Sequence, residues 1–227
     1  MTSPSSPDRA LPLRERKKLR TRRALADAAL RLFTERGFDT TTVDDLVDAV
    51  EVSRSSFFRI FPAKEAAAIE AEVELWSAYL AALDGHPLSG GVLTGLSDLL
   101  RAVVTGLGPD WAQRYVATRR LVRTAPALLA YAEHHRVEVE QRLAERVADK
   151  LALPPGDLRP QVLAGLLLTA WRLAARAWVL DGGPGGLEAL VERMEQAFRA
   201  VPASLELSAG SRPSPGDGRP GRRAAEL

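Results

Sequence analysis

The chain has 227 residues, 46% hydrophobic and 26% charged, enough apolar material for one large or two small folded domains. The absence of cysteine excludes disulfides, thiolate metal sites and cysteine nucleophiles. The net charge is only +2, yet eight cations stand against one acid between Arg9 and Arg23, a run that fits either a solvated helix face or a polyanion-facing patch.

Alanine, leucine and arginine dominate, and runs of β-branched residues with period 2 are scarce, so an all-α fold is expected. Residues 1–12 are rich in Ser and Pro and read as a disordered arm. Met1–Ala10 lacks the apolar centre of a secretory signal, and no run of about 18 continuous apolar residues is present. A cytoplasmic location without membrane contact is expected.

The first helix is predicted over Leu13–Arg36, with Leu25, Ala29, Leu32 and Phe33 as its apolar stripe and Gly37 as its stop. Short helices follow over Val43–Val50 and Arg54–Phe61, the second closed by Pro62. Lys64 opens a longer helix to Leu83, and Asp84–Gly91 reads as a linker. Further helices are expected over Val92–Gly106, Asp110–Thr124, Ala127–Leu151, Leu158–Leu180 and Leu187–Val201, separated by Pro and Gly clusters. From Ser208 to Leu227 the chain is dense in Gly, Pro and Arg and reads as a disordered tail. Residues 13–73 and 74–207 are the expected domains.

The segment Thr40–Lys64 carries the functional signal. Thr42 is a good N-cap, Asp45 completes a capping-box pattern, and Val43, Leu46, Val47 and Val50 share one face. A tight turn at Glu51–Val52 leads to a second cap, Ser53. Beyond it Arg54, Ser55, Ser56 and Arg59 are polar, while Phe57 and Phe61 share the i, i+4 face. Two short capped helices across a tight turn have the geometry of a helix-turn-helix, spanning about 36–55, whose second helix enters the DNA major groove.

The sequence TRRALADAALRLFTERGFDTTTVDDL followed by VSRSSFFRIFPAKEA resembles the DNA-binding domain of the TetR family, over about Leu13–Val73. The resemblance implies an N-terminal three-helix DNA-binding domain and a C-terminal helical domain for ligand binding and dimerisation. It makes Thr42 and Lys64 phosphate contacts, and Arg54, Ser55, Ser56 and Arg59 groove-facing positions. Phe57 and Phe61 become core. Phe58 stands where the family often has a phosphate-touching Tyr, and Ile60 replaces a commoner His or Tyr. Glu51 occupies a turn position that is usually Gly, where positive φ costs a side-chain-bearing residue roughly 1 kcal/mol.

By the same resemblance, the last two helices form a four-helix dimer interface, so that two recognition helices ~34 Å apart, or a multiple, read a palindromic double-stranded operator. Val162–Leu180 is apolar almost all round, and Leu167, Trp171, Ala174 and Trp178 are the expected interface residues of a homodimer. A central core helix in a monomer is the competing reading. Trp76, Tyr79, Trp111, Tyr115, Arg119, Arg123 and Trp171 are the expected lining of a sensing cavity, with the two arginines suited to an acidic ligand. The FFRIFPAKE form resembles a branch of the family that senses acyl-coenzyme A-like compounds, although no phosphate-binding glycine loop follows in the second domain.

Ligand binding would then release DNA through the helix from Lys64 to Leu83, for which a coupling of ~1–3 kcal/mol suffices. No catalytic constellation, metal-ligand spacing or cofactor motif is found, so neither an enzyme nor a cofactor is expected. A ligand-independent, nucleoid-type DNA-binding protein is the alternative.

Overall fold

The computed structural model describes residues 12–208; all but the last residue of the expected N-terminal arm (1–12) and all but the first of the expected tail (208–227) lie outside the described residues. Helix α1 runs Leu13–Arg36. It stops where expected: Gly37 turns to φ 92° and donates its N–H to the Phe33 carbonyl at 3.1 Å. Phe38 folds back edge-on against Phe33, 5.0 Å between ring centres. The apolar stripe begins only at Leu25, so the first three turns of α1 stand largely in solvent.

Helix α2 (Val43–Asp48) starts from a complete capping box. The Thr42 hydroxyl accepts the Asp45 N–H at 3.2 Å, and the Asp45 carboxylate accepts the Thr42 N–H at 2.8 Å. Glu51 then takes φ 55°, the left-handed turn that its position demanded. Ser53 caps α3 (Arg54–Phe58) by accepting the Ser56 N–H at 3.2 Å. This helix ends earlier than expected: Arg59 and Ile60 form a turn, and the Ile60 and Phe61 N–H groups both reach the Phe57 carbonyl at 2.8 Å.

The single helix expected over Lys64–Leu83 is two, α4 (Lys64–Ala68) and α5 (Glu70–Gly85). Ile69 breaks the run at φ −100°, ψ 17°, with its side chain fully buried. Packing sets this break, since neither Gly nor Pro occurs there. Conversely, the next two expected helices join as α6 (Val92–Val122), kinked where Gly108 adopts φ 81°, ψ 173° ahead of Pro109. Helix α7 (Pro126–Lys150) opens on a first-turn proline, and α8 (Arg159–Leu180) and α9 (Gly186–Leu205) form a helical hairpin. Gly183, at φ 74°, lets that hairpin turn pass close to Trp178 and Val116; a Cβ there would sit 3.0 Å from a Val116 methyl.

Two apolar clusters result. One joins α5, α6, α8 and α9 with the inner face of α7. The other holds α1–α4 together and is completed by Leu121, Val122, Ala125, Leu128 and Ala132 from the corner where α6 meets α7.

The dimer-interface expectation needs correction. Leu167, Trp171, Ala174 and Trp178 are 0%, 4%, 3% and 1% exposed within one chain, so they pack into the subunit's own core and offer almost no surface to a partner. A helix apolar all round hides its orientation, and the bulky aromatic residues went inward against α5 and α6. The outward side of α8 instead carries Val162, Leu173 and Leu180, all more than half exposed. Among the described residues α8 is also the one helix long and apolar enough to cross a bilayer by length and composition, and half of that stretch is buried inside the subunit.

Candidate nucleic-acid interface and sensing core

Helix α3 is anchored from behind. Phe57 and Phe61 are 0% and 1% exposed, with ring centres 5.7 Å apart, and they fix the short helix to the N-terminal core. Arg54, Ser55, Phe58 and Arg59 face solvent, and Ser56 is half-buried at the edge. Phe58, 49% exposed, packs edge-on against Phe57 and leaves its outer face free for apolar contact.

The outward groups hold one another in place. Arg54 pairs with Asp44 at 3.1 Å, and Arg59 donates to the Ser56 hydroxyl at 3.3 Å. Ser53 Oγ lies 2.9 Å from Ser55 Oγ and 3.0 Å from Ser56 Oγ. An exposed pair such as Arg54–Asp44 is worth about 0–1 kcal/mol, so a phosphate or guanine edge can take the arginine over at little cost.

Beside α3 the early turns of α1 add charge. Arg14, Lys17 and Lys18 line a groove of ≈ 540 Å³ opposite Ser56 and Arg59. Of the basic run, these residues share a wall with the recognition helix; Arg20 lines a different groove with Arg22, Arg23 and Arg114. Such a cationic trough suits a phosphate backbone.

Thr42 is exposed but occupied: its hydroxyl also donates to Asp45 at 2.6 Å, and these hydrogen bonds hold the Asp45 carboxyl below its ordinary range. Lys64 is more deeply engaged. Its ammonium donates to the carbonyls of Phe38 at 2.7 Å and Thr41 at 2.9 Å and sits 4.1 Å from the Phe38 ring centre. One of three N–H donors remains for a phosphate. Lys64 thus ties α4 to the loop that launches α2.

The first turns of α5 hold a set that sequence reasoning missed, the alternating acids Glu70, Glu72 and Glu74. Glu70 forks with Arg22 of α1 (Nη2–Oε2 2.6 Å), and that guanidinium also donates to the Ile60 carbonyl at 3.3 Å and lies 4.8 Å over the Phe61 ring. Burial pushes Glu70 above the usual carboxylate range, against the pull of Arg22. Glu74 bridges Arg23 of α1 at 3.0 Å and Arg114 of α6 at 2.5 Å. Glu72 points the other way, to Arg119 of α6 at 2.7 Å.

The expected sensing residues divide. Trp76, Tyr115, Arg119 and Trp171 converge on a cavity of ≈ 50 Å³ among α5–α8. Trp171 meets Trp76 and Tyr115 edge-on, at 6.1 and 5.7 Å between ring centres. Tyr79 and Trp111 do not line it; they are core, with polar atoms bound to the Leu96 carbonyl at 3.1 Å and the Ala71 carbonyl at 2.9 Å. Arg123 is corrected outright. It does not line the cavity: Arg123 caps α6 just past Val122 and stands exposed.

Glu72, Arg136, Arg172 and Arg176 also line the cavity. The two α8 arginines stood out in sequence as the breaks in an apolar helix, and the EAEVE pattern at residues 70–74 was the overlooked signal for the rest. Burial works against the Arg119 charge, but the Glu72 carboxylate beside it outweighs this and holds the guanidinium above its ordinary value. His135, whose Nε2 is buried without a partner among the described residues, feels the Glu72 carboxylate; burial nevertheless keeps its pKa below 6.5.

With this geometry in place, comparison with known proteins is unambiguous. Residues 25–71 match the model of bacterial regulatory proteins of the tetR family, and residues 93–206 match the MftR C-terminal domain. The chain is 34% identical over 200 residues to the HTH-type transcriptional regulator TcmR of Streptomyces glaucescens, covering 85% of this chain and 88% of TcmR. It is 27% identical over 197 residues to the transcriptional regulator MftR of Mycobacterium tuberculosis, covering 84% and 94%. In fold it is similar to Salmonella enterica GusR (TM-score 0.51, 21% identity, 83% of this chain and 97% of that one). Thermus thermophilus FadR, a repressor in complex with lauroyl-CoA, gives TM-score 0.50 at 23% identity, covering 86% and 100%. Through both of its halves, and with an outward-facing α3 on a phenylalanine anchor, the chain belongs to the TetR family of transcriptional regulators.

Proposed function

We propose that the protein is a ligand-responsive repressor that binds a palindromic operator as a homodimer in the cytoplasm and leaves it when a small molecule enters the helical core. The observation that carries the reading is the arrangement of α3: Arg54, Ser55, Phe58 and Arg59 outward, Phe57 and Phe61 locked behind them. In this reading Arg54 and Arg59 make the base-edge contacts. Arg14, Lys17, Lys18 and the spare Lys64 donor hold the phosphates. The outward side of α8, with α9, meets its twofold copy.

An acyl-thioester is one effector class supported by the lauroyl-CoA complex of the similarly folded FadR. Selection of bound fragments from random duplex DNA at physiological salt tests the function. A discrete inverted repeat is expected, with Arg59→Ala costing about 1–3 kcal/mol and relaxing selectivity at the base pairs it reads. Uniform coating without a preferred site would instead establish the ligand-independent DNA-binding alternative.

A further inference from the structure

The cavity among α5–α8 has an unusual floor and an unbalanced rim. Its floor is the ion pair Glu72–Arg119, with Glu72 only 8% exposed. Its walls are the rings of Trp76, Tyr115 and Trp171. Four arginines but only two glutamates line it. Arg136 is neutralised by Glu133 at 2.9 Å and Glu140 at 3.0 Å, whereas the exposed Arg172 and Arg176 form no ion pair with the described residues and leave the rim cationic.

We propose that Arg119 is the docking point for a ring-bearing organic acid, whose carboxylate takes the guanidinium from Glu72 while its ring replaces the present aromatic contacts. This rests on the ligand-responsive reading and gives it a chemical class. A carboxylate matches the planar fork of arginine, so the exchange swaps one charge-assisted pair for another at Arg119, while the displaced Glu72 carboxylate must turn out toward water. At ≈ 50 Å³ the cavity admits no such molecule as it stands, so entry requires its lining to open, with Glu72 among the groups that move.

That movement has somewhere to go. Glu72 lies three residues past the break at Ile69, between Glu70 and Glu74, which hold α1 through Arg22 and Arg23. On the other side of the break, α4 grips the α1–α2 loop through Lys64. Freeing Glu72 therefore loosens one of the two joints that hold the DNA-reading helices, the α6–α7 corner being the other.

Naphthoate is the probe, with naphthalenemethanol as its uncharged counterpart, read by tryptophan fluorescence (Trp76 and Trp171 line the site) and by release of the selected duplex. Naphthoate is expected to bind about tenfold or more tightly than the alcohol. Glu72→Gln, which removes the competing charge, tightens naphthoate severalfold and leaves the alcohol unchanged. Arg119→Met erases the preference. Because that variant strands a buried carboxylate, the double variant Glu72→Gln, Arg119→Met is measured beside it, with circular dichroism reporting its fold. Equal binding of acid and alcohol, naphthoate weakened by Glu72→Gln, or a preference that survives without Arg119 overturns the site. A protein that still selects its duplex while failing these tests loses only the anion site. One that selects no duplex loses the regulator reading itself.

Discussion

At Lys64 and Thr42 a side chain that looks poised for phosphate is already at work inside the protein. Lys64 bridges two loop carbonyls, and Thr42 closes a capping box. Lys64→Met should therefore cost about 1–3 kcal/mol in urea unfolding as well as weakening all duplexes alike. A lysine that only touched phosphate would leave urea stability alone and reduce the salt slope by about 1. Thr42→Val should cost about 1 kcal/mol by loss of the cap. Both roles were half legible. Local chemistry announced the cap of Thr42 four residues deep in sequence, but the carbonyls that Lys64 holds lie 26 and 23 residues upstream, where no spacing rule reaches. Arg123 failed for a different reason: its charge suited an acidic ligand, but nothing local showed that it stands exposed at the end of α6.

Among the elements, the turn between α2 and α3 stores local strain. Glu51 sits at φ 55°, and Glu51→Gly should raise stability by about 0.5 kcal/mol at most, after allowing for the added freedom of glycine in the unfolded chain. Duplex selectivity measured on the same variant reports whether the strain also aims α3. Helices with local stop signals, such as α1 with Gly37 and α7 with Pro126, fell at or within a residue of the expected bounds. The break at Ile69 and the fusion through Gly108 did not, because tertiary packing decided the first and a kink without a loop sufficed for the second. The orientation of α8 was equally hidden, since an all-apolar helix offers no polar face to mark the outside.

For the whole molecule, that orientation has a direct test. Leu173→Glu, on the exposed side of α8, should shift sedimentation toward monomer with little change in the subunit's own packing. Leu167→Ala, in the core, should cost about 2–5 kcal/mol without the specific loss of pairing. The acid response belongs to the same scale. The neutral form of His135 is favoured by folding, so its folded pKa lies below the unfolded 6.5. The unfolded chain then binds more protons in the window beneath 6.5, and stability falls as pH drops through it. Thermal midpoints between pH 7.5 and 5.5 should decline less steeply in His135→Leu.

Five side chains from the α6–α7 corner, Leu121 through Ala132, complete the cluster that holds α1–α4 together. The DNA-reading head is thus not a detachable part. A fragment ending after α5 would present a bare oily flank and stick to itself before it met an operator. Anyone exchanging heads between relatives to build hybrid sensors must transplant that corner too, or refit its surface, because the graft line drawn through the primary sequence cuts across a shared interior.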